Sequence, residues 1–257
     1  GQSNSNNTAV GSSALLSVTT GEKNVMIGAT AGDAINGETN NVGIGYGAMG
    51  GAVNAADKCI AIGSDSLSGA ITQDGTIAIG HDTLAALTTG NGNTAVGYQA
   101  MAAETEGDFS TAVGYQALTA LVGTDGTAAN TAVGYQTGLA ITKGQYNTAV
   151  GYLALFTEDV GNESTAIGSF SLYAQNSDSD NEATGNTAVG KGTGYYNVTG
   201  QNNTYMGKNA GFGVSTKSHS NCVFIGSNAG LTAYTGNNNI AIGYGAMDDT
   251  DADATVG

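Results

Sequence analysis

The chain has 257 residues, of which 42 are glycine and none is proline or tryptophan. Its 6 Lys+Arg and 21 Asp+Glu give a net charge of −15, which argues against nucleic acid and anionic membrane surfaces as partners, because both require a basic surface. No apolar run approaches the roughly 20 residues that span a bilayer, so no membrane insertion is expected. Two cysteines are too few for a disulfide framework.

A motif of the type Asn-Thr-Ala-Val-Gly recurs fourteen times along the chain. Its glycines are separated by 17 residues in nine of the thirteen intervals and by more in the other four. A short, fixed period of this kind is typical of stacked supersecondary units. The repeat glycines are Gly11, Gly28, Gly45, Gly63, Gly80, Gly97, Gly114, Gly134, Gly151, Gly168, Gly190, Gly207, Gly226 and Gly243.

The residues before each glycine form columns with distinct chemistry. Val or Ile directly precedes the glycine in thirteen copies, and Thr, Val or Ile stands three residues before it. Both types favour extended backbone. Ala lies between them in ten copies, and Asn, which suits turns and side-chain ladders, stands four residues before the glycine in nine. Each copy is therefore predicted to begin with a turn and a short strand, and the glycine to supply a backbone angle or close approach that Cβ would forbid.

A second apolar pair follows the glycine, as in Ala14-Leu15 and Ala100-Met101, and is predicted to form a second short strand. The sequence thus predicts an all-β fold, a parallel β-solenoid or β-roll of about fourteen 17-residue coils, forming a single domain over residues 1–257. The longer intervals contain polar insertions that are expected to loop out. We interpret the chain as a fragment of a longer fibre.

Alternate strand residues face opposite sides, and here both sides carry apolar columns. A single thin coil covers only one of them, so the other is expected to meet further copies of the chain, most simply in a homotrimer. The small side chains of the Ala column are predicted to form this oligomer interface. They are Ala9, Ala61, Ala78, Ala95, Ala112, Ala132, Ala149, Ala166, Ala188 and Ala241.

The run Asn-Thr-Ala-Val-Gly-Tyr-Gln-Ala at residues 93–100 resembles two related groups of repeats. One is the head repeat of trimeric autotransporter adhesins, to which Cys59-Ile60-Ala61-Ile62-Gly63 is also similar; the other occurs in tail-fibre-like proteins of bacteriophages and large viruses. The resemblance implies a trimeric, left-handed β-roll that projects from a surface and binds a host, sugar or matrix. It implies an extracellular location, on a virion appendage or a cell surface.

The expected function is a structural or adhesive fibre shaft without enzymatic activity, with a host glycan or protein as receptor. A carbohydrate-degrading tailspike is the alternative, but it needs paired carboxylates in a groove, whereas the acidic residues here are scattered in turns. A lesser alternative is an ice-binding solenoid with a flat threonine array. Val or Ile interrupts that array at several positions, which favours a buried column.

Candidate sites are few, and neither a catalytic residue nor a cofactor is expected. Asp178, Asp180 and Glu182 are candidate calcium ligands, as is the acidic run from Asp248 to Asp253, although solvated acidic loops are the preferred interpretation. The tyrosines that follow the glycine either stack on sugar rings or form a packing ladder, which we favour. They are Tyr46, Tyr98, Tyr115, Tyr135, Tyr152 and Tyr244.

The two cysteines and two histidines are assigned no chemistry. Cys59 and Cys222 share the Asn column many coils apart, which excludes a disulfide within the chain. They are interpreted as free small residues or, alternatively, as contacts between chains near a trimer axis. His81 and His219 are expected at the surface.

Overall fold

The computed structural model describes residues 6–52, 55–123, 126–180, 182–215, 217–232 and 236–248. It shows an all-β, parallel β-solenoid of about 13 turns, with no helix among the described residues. The chain divides into two compact units, Gly1–Ala129 and Asn130–Gly257, called unit 1 and unit 2 below.

Unit 1 contains one parallel sheet in which strands pair with their neighbours in chain order. Two further short strands pair with each other outside that sheet. The sheet strands are β1 (Thr8–Val10), β2 (Val25–Ile27), β3 (Val42–Ile44), β4 (Ile60–Ile62), β5 (Ile77–Ile79), β6 (Thr94–Val96) and β8 (Thr111–Val113); the short pair is β7 (Gly107–Asp108) and β9 (Gly126–Thr127).

Unit 2 is built in the same way, from seven parallel strands that also pair in chain order. They are β10 (Thr131–Val133), β11 (Thr148–Val150), β12 (Thr165–Ile167), β13 (Thr187–Val189), β14 (Thr204–Met206), β15 (Val223–Ile225) and β16 (Ile240–Ile242). Strand register matches the repeat, so that Ala149 of one coil lies beside Ala166 of the next. The columns of the sequence are therefore columns in space.

The predicted second strand is wrong, because the apolar pair after the glycine lies in a turn. Leu84 shows the reason: its φ is +50°, in the left-handed region, so the backbone cannot continue as a strand. The pair is nevertheless buried, and the Leu84 N–H donates to the carbonyl of Ala100 in the next coil at 3.2 Å. Hydrogen bonding between coils thus continues through this turn although the turn contains no strand.

The repeat glycines confirm the prediction of a special backbone. All fourteen have φ between +121° and +142°, where residues with a Cβ are strained. Within each unit, successive repeat glycines also lie directly over one another: a Cβ on Gly97 would stand 2.2 Å from the carbonyl oxygen of Gly114. Both constraints act at the same position, and this explains why glycine recurs there in every copy.

The core of each unit combines the Ala column with a Leu column, made of the residues four after each glycine. Ala95 and Ala112 are fully buried in unit 1, as are Leu84 and Met101. Late in unit 2 the sizes are exchanged, since Tyr205 and Phe224 replace Ala and glycine replaces Leu. A Cβ on Gly211 would lie 2.5 Å from the Tyr205 ring, so the large residue occupies the space that glycine leaves.

The Asn column forms an internal ladder of side chains. The Asn24 amide accepts the backbone N–H of Asn41 at 2.9 Å and donates to the carbonyl of Glu38 at 2.8 Å. In unit 2, Asn147 makes the equivalent bonds to Ser164 and Gly161 at 2.9 and 2.8 Å. These side chains satisfy backbone groups inside the coil, which would otherwise be buried without partners.

Buried polar side chains hold the four longer coils. In each case a side chain of the preceding coil accepts a backbone N–H from the longer one, so the added residues are anchored at their base. The pairs are Glu38 with Ala55 at 3.1 Å, Glu104 with Gly123 at 2.9 Å, Glu158 with Ser177 at 3.2 Å and Asn197 with His219 at 3.1 Å.

Candidate functional site

The outward face of each sheet differs from the prediction. The Ala column points into the coil, and Ala61, Ala95 and Ala149 are buried within their own unit. The prediction that these alanines meet other chains is therefore corrected: small residues are needed inside, where the Leu column fills the opposite side of a narrow core. The corrected residues are Ala61, Ala78, Ala95, Ala112, Ala132, Ala149, Ala166, Ala188 and Ala241; Ala9 is exposed, in β1.

The columns on either side of the alanines face outward instead. We call the Thr/Val column and the Val/Ile column together the outer stripe. Val113 and Ile167 are 36% and 38% exposed, and the threonines are partly exposed. No charged residue occurs at any of the stripe's positions, although the chain carries 27 charged side chains. The stripe is thus an uncharged surface that repeats with every coil and is β-branched at every position except Met206.

The Tyr column stands beside the outer stripe and is also exposed. In unit 1 the rings of Tyr98 and Tyr115 stack with centroids 5.1 Å apart and planes 10° apart, and His81 stacks on Tyr98 at 5.5 Å. In unit 2 Tyr135 and Tyr152 stack at 5.3 Å. Because stacked rings cover one another's faces, these ladders offer mainly edges and hydroxyls to solvent. This geometry favours the packing ladder over sugar stacking.

Unit 2 carries a second group of aromatic residues that the sequence reasoning missed. Five residues after successive glycines stand Phe156, Tyr173, Tyr195 and Phe212, whose rings stack at 5.2, 4.8 and 5.0 Å. We call these four rings, with Phe170 and Tyr196, the aromatic cluster. The signal was present as a column, but in unit 1 the same positions hold no aromatic residue, as Leu16, Ser68 and Ala85 show, so the column does not recur along the whole chain.

The rings of the cluster are partly buried, and their hydroxyls are crowded. Burial raises the pKa of Tyr195 above its ordinary value, and the neighbouring Tyr173 and Tyr196 hydroxyls raise it further. Phe170 lies 64° from the plane of Tyr173, and Tyr196 lies 69° from Tyr195 and 90° from Phe212. Two rings are therefore set across the stack.

A mixed group of titratable residues lies at a corner of unit 1. Ligand-type atoms of Asp65, His81 and Asp82 are all within 4.8 Å of one another, and it is the one such triad among the described residues. His81 Nδ1 lies 3.0 Å from an Asp82 carboxylate oxygen. His81 is exposed, as predicted, and its ring is oriented by the stack on Tyr98.

The predicted calcium ligands are not brought together in this way. Asp180 pairs with Lys143 at 2.8 Å, while Glu182 accepts hydrogen bonds from the Asp178 backbone and the Gln201 side chain. Their carboxylates are thus engaged with the protein's own donors. Asp249, Asp251 and Asp253 lie outside the described residues.

The cysteines are free and buried, and each takes the place of an Asn in its ladder. Cys222 Sγ lies 3.4 Å from the Gly236 carbonyl oxygen, and burial raises the pKa of both thiols. They face the interior of the coil, so contact between chains does not explain them.

The prediction that His219 lies at the surface is wrong, because its side chain is buried, with only 1% exposed. Its Nε2 shares a 2.7 Å hydrogen bond with the Tyr205 hydroxyl, and burial lowers its pKa from 6.5 to about 4.

No protein-family model, curated protein or solved structure matches the chain. The described residues include no helix that is long and apolar enough to cross a membrane.

Proposed function

We propose that the protein is the shaft of a fibre or adhesin, that it acts as a homotrimer on a virion appendage or a cell surface, and that it serves attachment without catalysing a reaction. The observation that carries the proposal is the outer stripe, an uncharged and mostly β-branched surface repeated in every coil. A parallel sheet with apolar residues on both faces is normally covered on both.

A second copy of the same chain is the partner that fits the stripe best. The stripe repeats once per coil, and another copy offers the same period, so contacts made in one coil can be made in all of them. Charge supports the same choice, because copies with a net charge of −15 repel one another except where they meet through uncharged surface.

The mass of the particle in solution tests this proposal. Light scattering at micromolar concentration should give three times the chain mass of 25.3 kDa. Replacing Val113 in the outer stripe by Asp should raise the dissociation constant of the trimer at least tenfold in dilution experiments, because burying an unpaired carboxylate is costly.

Leu16→Asp is the matched control, since Leu16 is an exposed apolar residue of the same unit outside the stripe. It should leave the mass unchanged. A monomeric parent protein, or equal dissociation of the two variants with circular dichroism intact, would contradict the proposal.

A further inference from the structure

One column of the repeat, two residues after each glycine, pairs side chains between neighbouring coils. In unit 1 the Gln116 amide nitrogen donates to Gln99 Oε1 at 2.9 Å, and in unit 2 the Asn209 amide donates to Asn228 in the same way at 3.2 Å. An amide carries both donors and an acceptor, so amides in adjacent coils can bond to each other directly. The column therefore brings the side chains of neighbouring coils into contact.

Asp65 and Asp82 occupy the same column in adjacent coils of unit 1, and they are its only charged residues. Their φ angles of +54° and +52° match the +51° of Gln99 and Gln116, so the backbone places these side chains as it places the amides. Two ionised carboxylates can only accept hydrogen bonds, and they repel each other. Among the described residues no lysine pairs with either of them. A cation held between the two carboxylates relieves this repulsion.

His81 adds an imidazole to the two carboxylates. Its Nδ1 lies 3.0 Å from Asp82 Oδ2, and the ligand-type atoms of all three residues lie within 4.8 Å of one another. The ring stacks on Tyr98 with the planes 18° apart, which holds Nδ1 towards the carboxylates. Nitrogen and oxygen ligands at about 2.1 Å from one ion lie roughly 3 to 4 Å apart, so small side-chain rotations bring the three atoms around one centre.

We propose that Asp65, His81 and Asp82 bind a divalent transition-metal ion of the zinc type, which ties two neighbouring coils together. The imidazole selects such ions over calcium and magnesium, which prefer oxygen ligands. The side chains of His81 and Asp82 are 49% and 32% exposed, so the ion enters from solvent and keeps water at its remaining positions. The site goes beyond the proposed role as a fibre shaft and does not depend on it.

Titration calorimetry of the untagged full chain with zinc chloride tests the inference. One zinc ion per chain should bind at micromolar concentration, and calcium and magnesium should bind at least tenfold more weakly. His81→Phe keeps a ring on Tyr98 but removes the ligand nitrogen, and Asp82→Asn keeps the shape but removes the charge. Each should weaken zinc binding at least tenfold. X-ray absorption of the zinc complex should show one imidazole among the ligands.

Asp33→Asn is the matched control, because it removes one carboxylate from the same unit outside the triad. It should leave zinc affinity unchanged, and zinc should raise the thermal unfolding midpoint of this variant and of the parent but not of His81→Phe. Amides such as Gln99 occupy the same column, so Asp82→Asn is compatible with the fold. Absence of saturable zinc binding up to millimolar concentration would overturn the inference. Equal zinc affinity in Asp33→Asn and Asp82→Asn would also overturn it, since the ion would then bind the acidic surface at large.

Discussion

Two regions of the molecule solve the same packing problem with opposite residues. In the regular coils of unit 1, Ala95 and Ala112 face the large side chains of Leu84 and Met101 across the core. In the late coils of unit 2, Tyr205 and Phe224 stand in the Ala column, and glycines stand where leucine is expected. The coil fixes the total side-chain volume of its interior, but either the Ala column or the Leu column can provide the large side chain.

The buried glutamates give a second comparison between the units. Glu104 in unit 1 and Glu158 in unit 2 occupy equivalent positions, and one oxygen of each accepts several backbone N–H groups. The other oxygen of Glu158 accepts bonds from Gln175 and Ser177, whereas Glu104 Oε2 has no partner among the described residues. In the part of the chain that the structure describes, both oxygens of this anchor are therefore bonded in unit 2, and only one is bonded in unit 1.

The largest expected effect comes from breaking the size exchange in unit 2. Tyr205→Ala should destabilise the protein by about 4 kcal/mol, because it leaves a cavity beside Gly194 and Gly211 and removes the partner of His219. Urea unfolding followed by circular dichroism measures this loss.

The double variant Tyr205→Ala, Gly211→Leu tests whether volume alone matters. It restores the arrangement seen in unit 1 and should recover part of the lost stability. The backbone permits the change, because Gly211 has a φ of +57° and leucine adopts a similar angle at equivalent positions such as Leu84. If the double variant is less stable than Tyr205→Ala alone, the two core arrangements are not interchangeable.

His219 sharpens the comparison because it places a titratable group in the core of the exchanged coils. Its pKa falls from 6.5 unfolded to about 4 folded, so its contribution to stability is complete above pH 6.5 and is lost as the pH falls towards 4. Tyr205 and Cys222, the titratable groups beside it, stay neutral throughout this range. The loss should approach about 3 kcal/mol by pH 4.

Comparison of the parent protein with the His219→Gln variant separates the pH dependence due to His219 from that due to the carboxylates. The stability difference between parent and variant should shrink between pH 6.5 and 4, and amide hydrogen exchange should show unit 2 loosening first. A difference that stays constant with pH would show that His219 is not neutral and buried.

The repeat predicts much of this fold, but not which way its columns face. The glycine spacing, the Asn ladder and the strand positions follow from the period. The Ala column could not be oriented from alternation, because both faces are apolar; only its pairing with the Leu column shows that it points inward. Left-handed residues such as Leu84 carry no sequence signal, which is why a turn was predicted as a strand, and the aromatic cluster arises in one unit only.

The glutamate comparison predicts opposite outcomes for one conservative change. Glu158→Gln should cost about 2 kcal/mol in free energy of unfolding. The Gln175 amide nitrogen donates to Glu158 Oε2 at 2.8 Å, and in the variant it would face another amide nitrogen instead of an acceptor. Glu104→Gln should be neutral within about 0.5 kcal/mol, since the oxygen it replaces has no partner among the described residues and the buried charge is removed. Equal losses in urea unfolding would contradict this difference.

The smallest expected effect concerns the exposed ladders. Tyr98→Ala removes two stacking contacts from unit 1 and should cost no more than about 1 kcal/mol, because the ring is 41% exposed and the contacts lie at the surface. Tyr195→Ala in unit 2 should cost more, since its ring touches four others and is partly buried. Urea unfolding of both variants shows whether an aromatic column stabilises its unit through stacking alone or also through the rings packed across the stack. Equal losses would mean that the rings set across the stack contribute nothing to stability.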